Sequence, residues 1–421
     1  MVLWRLTSIL LLALIVSCSN PVRSKKVSEK PIVKKLQLIP QFNQVPKQFV
    51  NLYYDSISMY YQQYILPDFS GMFLVAKNGK IIYERYTGFA NRKSKLEVNK
   101  NTPLHVASMS KVITAIVVCK LADQGKVILD KDIRSYLPEI MYDGITVRML
   151  LNHRSGLPYY GYFPYSIWPA SKQLTNAKII ELLNRYAMPL YFKPNTQFSY
   201  CNTNYALLAL LCERIEHKKF PKIVDDLVFK PLKMKNSFVF DGNSIHIDSL
   251  SQSYDSRKRR EVFTYLDGIY GDKNVYTTAR DLLILDKATY ASDFLSDSIK
   301  KEMFRGYSYE KRGKSNYGLG YRMREQEGKK MLFFHTGWWH GNTGCYASLR
   351  DDTICMVIIS NTYTKKVFSI NRLSTLFGNY PYEPLIDTGE NYIKPLKAKQ
   401  HIEAAVLKAE QEEKKTKNRL K

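Results

Sequence analysis

Cysteine is scarce in this chain, at six in 421 residues, and no two stand in Cys-x-x-Cys spacing, so neither a zinc site nor a full disulfide framework is indicated. Histidine is hardly commoner, at seven, and His-Glu-x-x-His is absent. The nearest pair, His335 and His340, is five residues apart and does not stack on a helix face, so no metal is expected. Neither Gly-x-Gly-x-x-Gly nor Gly-x-Ser-x-Gly occurs, which leaves no sign of a dinucleotide cofactor or an α/β-hydrolase elbow; no cofactor is assigned. Acidic residues are outnumbered 38 to 63, a balance of +25 that would suggest nucleic acid in a cytosolic protein. Much of the excess sits at the ends: residues 19–48 hold seven cations and one anion, and residues 391–421 hold nine and four. Basic ends suit anionic lipid or wall polymers, or are merely solvated, and with the N-terminal signal described next no nucleic-acid partner is expected.

A long apolar run is missing as well. Arg5 is followed by the apolar stretch Leu6 to Val16 and then by small Ser17 and Cys18, the layout of a secretory signal and too short to span a bilayer as a mature helix. Ile15-Val16-Ser17-Cys18 resembles the lipobox of bacterial lipoproteins, which implies a signal peptide over 1–17 and lipidation of Cys18 as the new N-terminus. An ordinary signal peptide ending beside a fortuitous Cys is the alternative. The expectation is a membrane-anchored lipoprotein of a bacterial cell envelope, on the periplasmic side or cell surface, with a basic linker over 18–48.

With 45% hydrophobic residues the chain has enough for one large core or two modest ones. Phe49, Leu52, Tyr53, Ser56, Met59, Tyr60 and Tyr64 fall at helical spacing and predict an amphipathic helix ending before Pro67. Met72–Lys77 and Lys80–Tyr86 flank Asn78-Gly79, which reads as a hairpin with a type I′ turn. From about 108 to 264 the pattern is helical: Ser108–Asp123 carries Val112, Ile113, Ile116, Val117 and Leu121 on a stripe with Gly125 past its end, and Thr146 and Thr175 are candidate caps. Strand character returns in Met331–Thr336, Thr343–Leu349 and Ile354–Ser360, the last two joined around Asp351-Asp352, and a closing helix from about Phe368 stops at Gly378. The expected fold is α+β, an antiparallel sheet built from both ends of a domain spanning 49–382, flanked by helices, with a helical lobe inserted over about 108–264. Residues 383–421 read as a charged C-terminal tail.

Ser108-Met109-Ser110-Lys111 sets a hydroxyl and an amine three residues apart at a helix start, so that both project from one face. A serine must lose its proton to attack a carbonyl, and a desolvated lysine near another cation or a phenol is able to take it. The motif alone carries little, since Ser298 to Lys301 and Ser308 to Lys311 repeat it without an apolar helix behind. Tyr200-Cys201-Asn202 stands before the helical run Leu207, Leu208, Leu211, Cys212 and Ile215. Its phenol suits proton relay and its amide suits contact with an acyl group; a core tyrosine and a capping asparagine are the plain alternative. His335-Thr336-Gly337 ends a predicted strand and continues as Trp338-Trp339-His340-Gly341, where a strand edge and a glycine admit substrate to the backbone.

The ordered set Ser-x-x-Lys, Tyr-x-Asn, His-Thr-Gly resembles the class C β-lactamase and DD-peptidase superfamily, penicillin-binding-protein-like serine hydrolases that include esterases and D-amino-acid peptidases. Gly88-Phe89-Ala90-Asn91, the run Leu150 to Leu157, Lys230-Pro231-Leu232-Lys233-Met234, Thr277 to Leu282 and Tyr317-Gly318-Leu319-Gly320 resemble family blocks, and the resemblance spans roughly 70 to 361. It implies that Ser108 is the acylated nucleophile, Lys111 and Tyr200 the proton-transfer pair, and Asn202, His335, Thr336 and Gly337 substrate-binding residues. It also implies that the N–H groups of Ser108 and Trp338 form the oxyanion hole. Many family β-lactamases begin the third motif with Lys, and His335 here moves the expectation toward peptidases and esterases. The expected reaction is two-step acyl transfer on a small-molecule or peptide substrate: D-amino-acid wall peptides or small esters, with β-lactams as acylating agents or poor substrates. The alternatives are a β-lactamase, or a catalytically silent lipid-anchored binding protein. Two finer expectations accompany this: the aromatic loop Pro158 to Pro169 forms a wall or lid over the cleft, or else packs on the helical lobe; and His335, ordinarily titrating near 6.5, reads a substrate carboxylate only when protonated.

Overall fold

The computed structural model describes residues 36–163, 166–243, 245–310, 313 and 315–382. Residues 1–17, Cys18, most of the 18–48 linker and the 383–421 tail lie outside the described residues. Asn78 and Gly79 have φ of 50° and 72°, the doubly left-handed turn that folds β1 (Gly71–Lys77) onto β2 (Lys80–Thr87). Five later strands complete the sheet: β3 (Ser315–Tyr317), β4 (Arg322–Arg324), β5 (Leu332–Trp339), β6 (Asn342–Leu349) and β7 (Ile354–Ser360). Their order is β2-β1-β7-β6-β5-β4-β3, with every pairing antiparallel. The N-terminal hairpin joins through β1 and β7, where Gly71 faces Ser360, so the sheet is assembled from both ends of the domain as the sequence predicts.

Side-chain alternation along the strands divides the apolar residues between two cores. Phe73, Val75, Met356 and Ile358 face α1 (Lys47–Tyr60), which buries Tyr53, Ile57 and Tyr60, together with the closing 3₁₀ helix Lys366–Leu373. Met72, Leu74, Val357 and Ile359 face the helical lobe and its central helix α2 (Ser110–Asp123). The predicted stripe on α2 proves too narrow, because the helix is enclosed by sheet and lobe and is buried nearly all round. Its buried hydroxyls are matched: Thr114 Oγ1 donates to Gly271 O at 2.7 Å and Ser110 Oγ accepts from Val275 N at 3.1 Å.

Thr146 and Thr175 cap their helices through side-chain oxygens that accept from Met149 N and Lys178 N. Two boundaries differ from expectation. Helices continue beyond 264, as Ala279–Ala288 and Asp297–Met303, because the chain returns across the lobe before β3. The end of the linker is also not free of the domain: Val45 is buried, Phe42 meets Tyr290 edge-on at 5.5 Å, and Gln37 N donates to Asp293 Oδ2 at 2.7 Å. The five described cysteines are all buried and free.

Candidate active site

The entry into α2 is a strained turn. Leu104 and His105 pair with Thr277 and Tyr276, and Ala107 then stands at φ 48°, a left-handed conformation costing a non-glycine residue about 1–2 kcal/mol. Two bonds hold it: Met109 N donates to Val106 O at 3.1 Å and Ala107 N donates to His105 Nδ1 at 3.2 Å. Burial lowers the His105 pKa to about 4, so the ring stays neutral, with Nε2 left to donate to Asn274 Oδ1 at 3.2 Å. Ser108 thereby sits half-buried in a 3₁₀ turn directly before α2, while Lys111 is fully buried one turn on. Lys111 Nζ donates to Ser108 Oγ at 3.0 Å and to Asp272 O at 2.8 Å.

Tyr200 precedes α3 (Asn202–Glu216), and Lys111 Nζ lies 5.0 Å from its ring centroid. The ring rests on His153, centroids 4.4 Å apart, and His153 is itself fixed by a left-handed backbone at φ 60° and by Cys201 N donating to its Nδ1 at 3.1 Å. The Tyr200 hydroxyl and Asn202 Oδ1 are buried with no hydrogen-bond partner among the described residues, whereas Asn202 Nδ2 donates to Tyr159 OH at 3.4 Å. Buried polar atoms are rarely left this way except where something else is to meet them.

β5 lies against the Ser108 turn at closest range. A Cβ on Gly337 would stand 2.4 Å from Val106 O and 3.2 Å from Ala107 Cβ, so only glycine lets the strand approach. Thr336 is half-buried, and Trp338 is 62% exposed with its ring 5.5 Å from Tyr363. The structure thus gathers Ser108, Lys111, Tyr200, Asn202, Thr336, Gly337 and Trp338 around one junction of α2, α3 and β5.

His335 requires a correction. Its ring is fully buried, Nδ1 lies 2.7 Å from Thr336 O, and Nε2 lies 3.0 Å from the Tyr317 hydroxyl. With Nδ1 donating to the carbonyl, Nε2 is the acceptor for the phenol. Burial, then Arg322 and Lys111, hold its pKa well below the ordinary 6.5. A neutral, enclosed imidazole supplies no cation to a substrate carboxylate. The cation on this wall is Arg322 of β4, 4.6 Å from the Tyr200 centroid, with its Nε lacking a hydrogen-bond partner and no carboxylate paired with it among the described residues.

His153, Tyr317, Arg322, Asp272 and Lys273 all bear on the site and were not singled out by chemistry in the sequence. His153 stands inside the run Leu150 to Leu157, whereas Arg322 stands on a three-residue strand, too short to show a period, and no sequence signal marks it. The two stray Ser-x-x-Lys matches are elsewhere: Ser298 and Lys301 are exposed on a short helix, and Ser308 Oγ accepts from Arg154 Nη1 at 3.1 Å, Lys311 lying outside the described residues.

The aromatic loop divides between its two expected roles. Tyr160 is fully buried, whereas Tyr159 is half-buried against Asn202 and Tyr162 is 75% exposed, their rings meeting edge-on at 4.8 Å. Pro164 and Tyr165 lie outside the described residues. Replacing Tyr159 and Tyr162 together by Ala should raise KM for bulky acyl esters about fivefold more than for acetyl esters, the worth of one aromatic contact. Equal changes in steady-state kinetics for both esters would assign the loop to packing alone.

The Beta-lactamase family profile matches residues 66–376. Penicillin-binding protein 4* of Bacillus subtilis is 29% identical over 308 residues, covering 70% of this chain and 68% of that protein; other curated relatives are matched over only 33% to 50% of their own length. The crystal structure of a penicillin binding protein from Bacillus halodurans superposes with a TM-score of 0.67 at 23% identity, over 76% of this chain and 99% of that one. The D-amino acid amidase of Ochrobactrum anthropi SV3 does so with a TM-score of 0.60 at 21% identity, over 76% and 94%.

Proposed function

The chain belongs to the beta-lactamase family and is a serine hydrolase, and on that premise we propose that Ser108 is its nucleophile and that it cleaves amide or ester bonds of D-amino-acid peptides or small esters. The observation that carries this reading is the 3.0 Å contact between Lys111 Nζ and Ser108 Oγ inside a buried setting. As Oγ bonds to the substrate carbonyl carbon, its proton passes to Lys111, and the tetrahedral oxyanion faces the N–H groups of Ser108 and Trp338. Collapse breaks the bond to the leaving amine or alcohol, which takes a proton by way of the Tyr200 hydroxyl. Water then attacks the acyl-enzyme carbonyl and gives a proton to Lys111; collapse breaks the bond to Ser108 Oγ, which takes that proton, and a carboxylic acid leaves. Asn202 meets the acyl amide, and Thr336 with Arg322 receives a substrate carboxylate. Likeness to a penicillin-binding protein and, in fold, to a D-amino acid amidase supports substrates of this kind.

The test is mass spectrometry of the intact protein and of its peptides after exposure in turn to a fluorophosphonate, a penicillin and a chromogenic ester. An adduct with each reagent on a Ser108 peptide supports the reading, and a protein that takes none is a silent binder.

The anchor belongs to the same proposal. Cys18 is the diacylated mature N-terminus, holding the hydrolase on the outer side of a bacterial membrane, as the tetrad Ile15 to Cys18 and the polar stretch after it suggest. Labelled fatty acid should follow the protein into membranes and be lost on Cys18→Ala. A variant that keeps the label removes the anchor.

A further inference from the structure

Behind Lys111 lies a pair of opposite charges that acyl transfer leaves unused. Asp272 and Lys273 are 0% and 1% exposed, with Nζ 3.5 Å from Asp272 Oδ1. Lys273 Nζ also donates to the Tyr160 hydroxyl at 2.9 Å, and that hydroxyl donates to Asp272 Oδ2 at 2.6 Å. The ammonium lies 4.7 Å from the Trp339 ring centroid, two residues past Gly337. Asp272 therefore meets Lys111 in two ways: its carbonyl accepts the 2.8 Å bond that turns Nζ toward Ser108, and its carboxylate shares the same dry interior. A buried ion pair is weak support for stability, since apolar residues of equal volume often serve as well or better. What such a pair does at a proton-transfer site is cancel its own field.

The remaining titratable and charged groups around Lys111 do not supply that balance. They are Tyr200 and Cys201 ahead of α3, Tyr205 on it, His153 after Val147–Leu151, Tyr317 and Arg322 on β3 and β4, and His335 on β5. Burial keeps His153 and His335 neutral and Cys201, Tyr205 and Tyr317 protonated. None of these is a carboxylate; Asp272 supplies one beside Lys111, and Asp267, held by Trp339 Nε1 and His340 Nε2, is a second that acts on Lys273. Burial also lowers the Lys273 pKa, with Asp272 the first group opposing it.

We propose that Asp272 and Lys273 are positioning residues for the proton transfer: the Asp272 carbonyl holds Lys111 on Ser108, and Lys273 cancels the Asp272 charge so that Lys111 is free to act as a base. This rests on the reading of Lys111 as the base. A base must be neutral, so the rate of Ser108 labelling by a fluorophosphonate rises with pH along an acid limb. In Lys273→Met the uncompensated carboxylate favours the ammonium form of Lys111, and the limb should move to higher pH by about one unit, a tenfold slower labelling at a fixed pH on the limb. Lys273→Arg keeps the charge and should keep the limb. Asp272→Asn keeps the carbonyl and leaves a cation, so the limb must fall or stay and never rise. The double variant Asp272→Asn, Lys273→Met carries no net charge and should return the limb to within about half a unit of the parent.

A folded Lys273→Met protein with an unmoved limb overturns the proposal, and so does an upward shift in Asp272→Asn. If Lys273→Met does not fold, the double variant decides: a displaced limb, or failure to fold, makes the pair structural and ends the proposal. Labelling that survives Lys111→Ala sinks the base itself, and is read separately from the limb.

Discussion

Ser108→Ala should abolish fluorophosphonate labelling and lower ester turnover by about a thousandfold or more, while far-ultraviolet circular dichroism and Tm stay close to those of the parent. The loss is large because the bond-forming atom is removed, and the residual rate is whatever the oxyanion hole and binding provide without it. The fold should tolerate the change because Ser108 is half-buried, contributes one small hydroxyl, and leaves Lys111 Nζ still bonded to Asp272 O. Ser298→Ala and Ser308→Ala are the controls and should change neither readout, since Ser298 is exposed and Ser308 meets Arg154 away from Lys111. Labelling that disappears with either control and persists in Ser108→Ala assigns the nucleophile wrongly.

What made Ser108 legible as a candidate was the order of elements around it. The Asn78-Gly79 turn, the caps at Thr146 and Thr175 and the three apolar strands after 331 are local signals, each written within a few residues, and the structure has them where the sequence puts them, except that the first strand runs on to Trp339, past the Gly337 expected to end it. The short strands β3 and β4 escaped because three residues carry no periodicity. Enclosure of α2 escaped because burial on a second side is set by what packs there, not by the helix's own pattern.

The site divides in the same manner. Ser108 and Lys111 are neighbours on one turn, so spacing brings them together. His153, Asp272 and Arg322 reach the site from loops and strands distant in sequence, and only tertiary contact reveals them. His335 shows the limit most plainly: its identity suggested a titrating cation, yet the period-2 rule turns it away from the half-buried Thr336 and beneath Tyr317, where desolvation outweighs any gain from charge.

That inversion fixes the second large effect, at Arg322. For two substrates with the same scissile bond, one bearing a free carboxylate and one uncharged, the ratio of kcat/KM isolates carboxylate recognition, because the shared chemical step cancels. A guanidinium stays protonated across the accessible range, and a simple carboxylate is ionised above about pH 5, so in the parent protein the ratio should be flat from about pH 5 to 9. Had His335 carried the charge, the ratio would fall as pH rose through its pKa; burial holds that pKa well below 6.5, which leaves the ring neutral near pH 7. Arg322→Met should lower the ratio thirty- to a hundredfold at every pH, the worth of a charge-assisted bond of about 2–3 kcal/mol, with little change for the uncharged substrate. Arg322→Lys should recover part of it, since an ammonium restores charge without the planar fork. Arg322 touches Tyr200, so a fall for both substrates together would report a displaced phenol instead of a lost carboxylate contact. A ratio that ignores Arg322→Met, or one that declines with pH in the parent, would return the role to His335 and require its ring to leave Tyr317 when substrate binds.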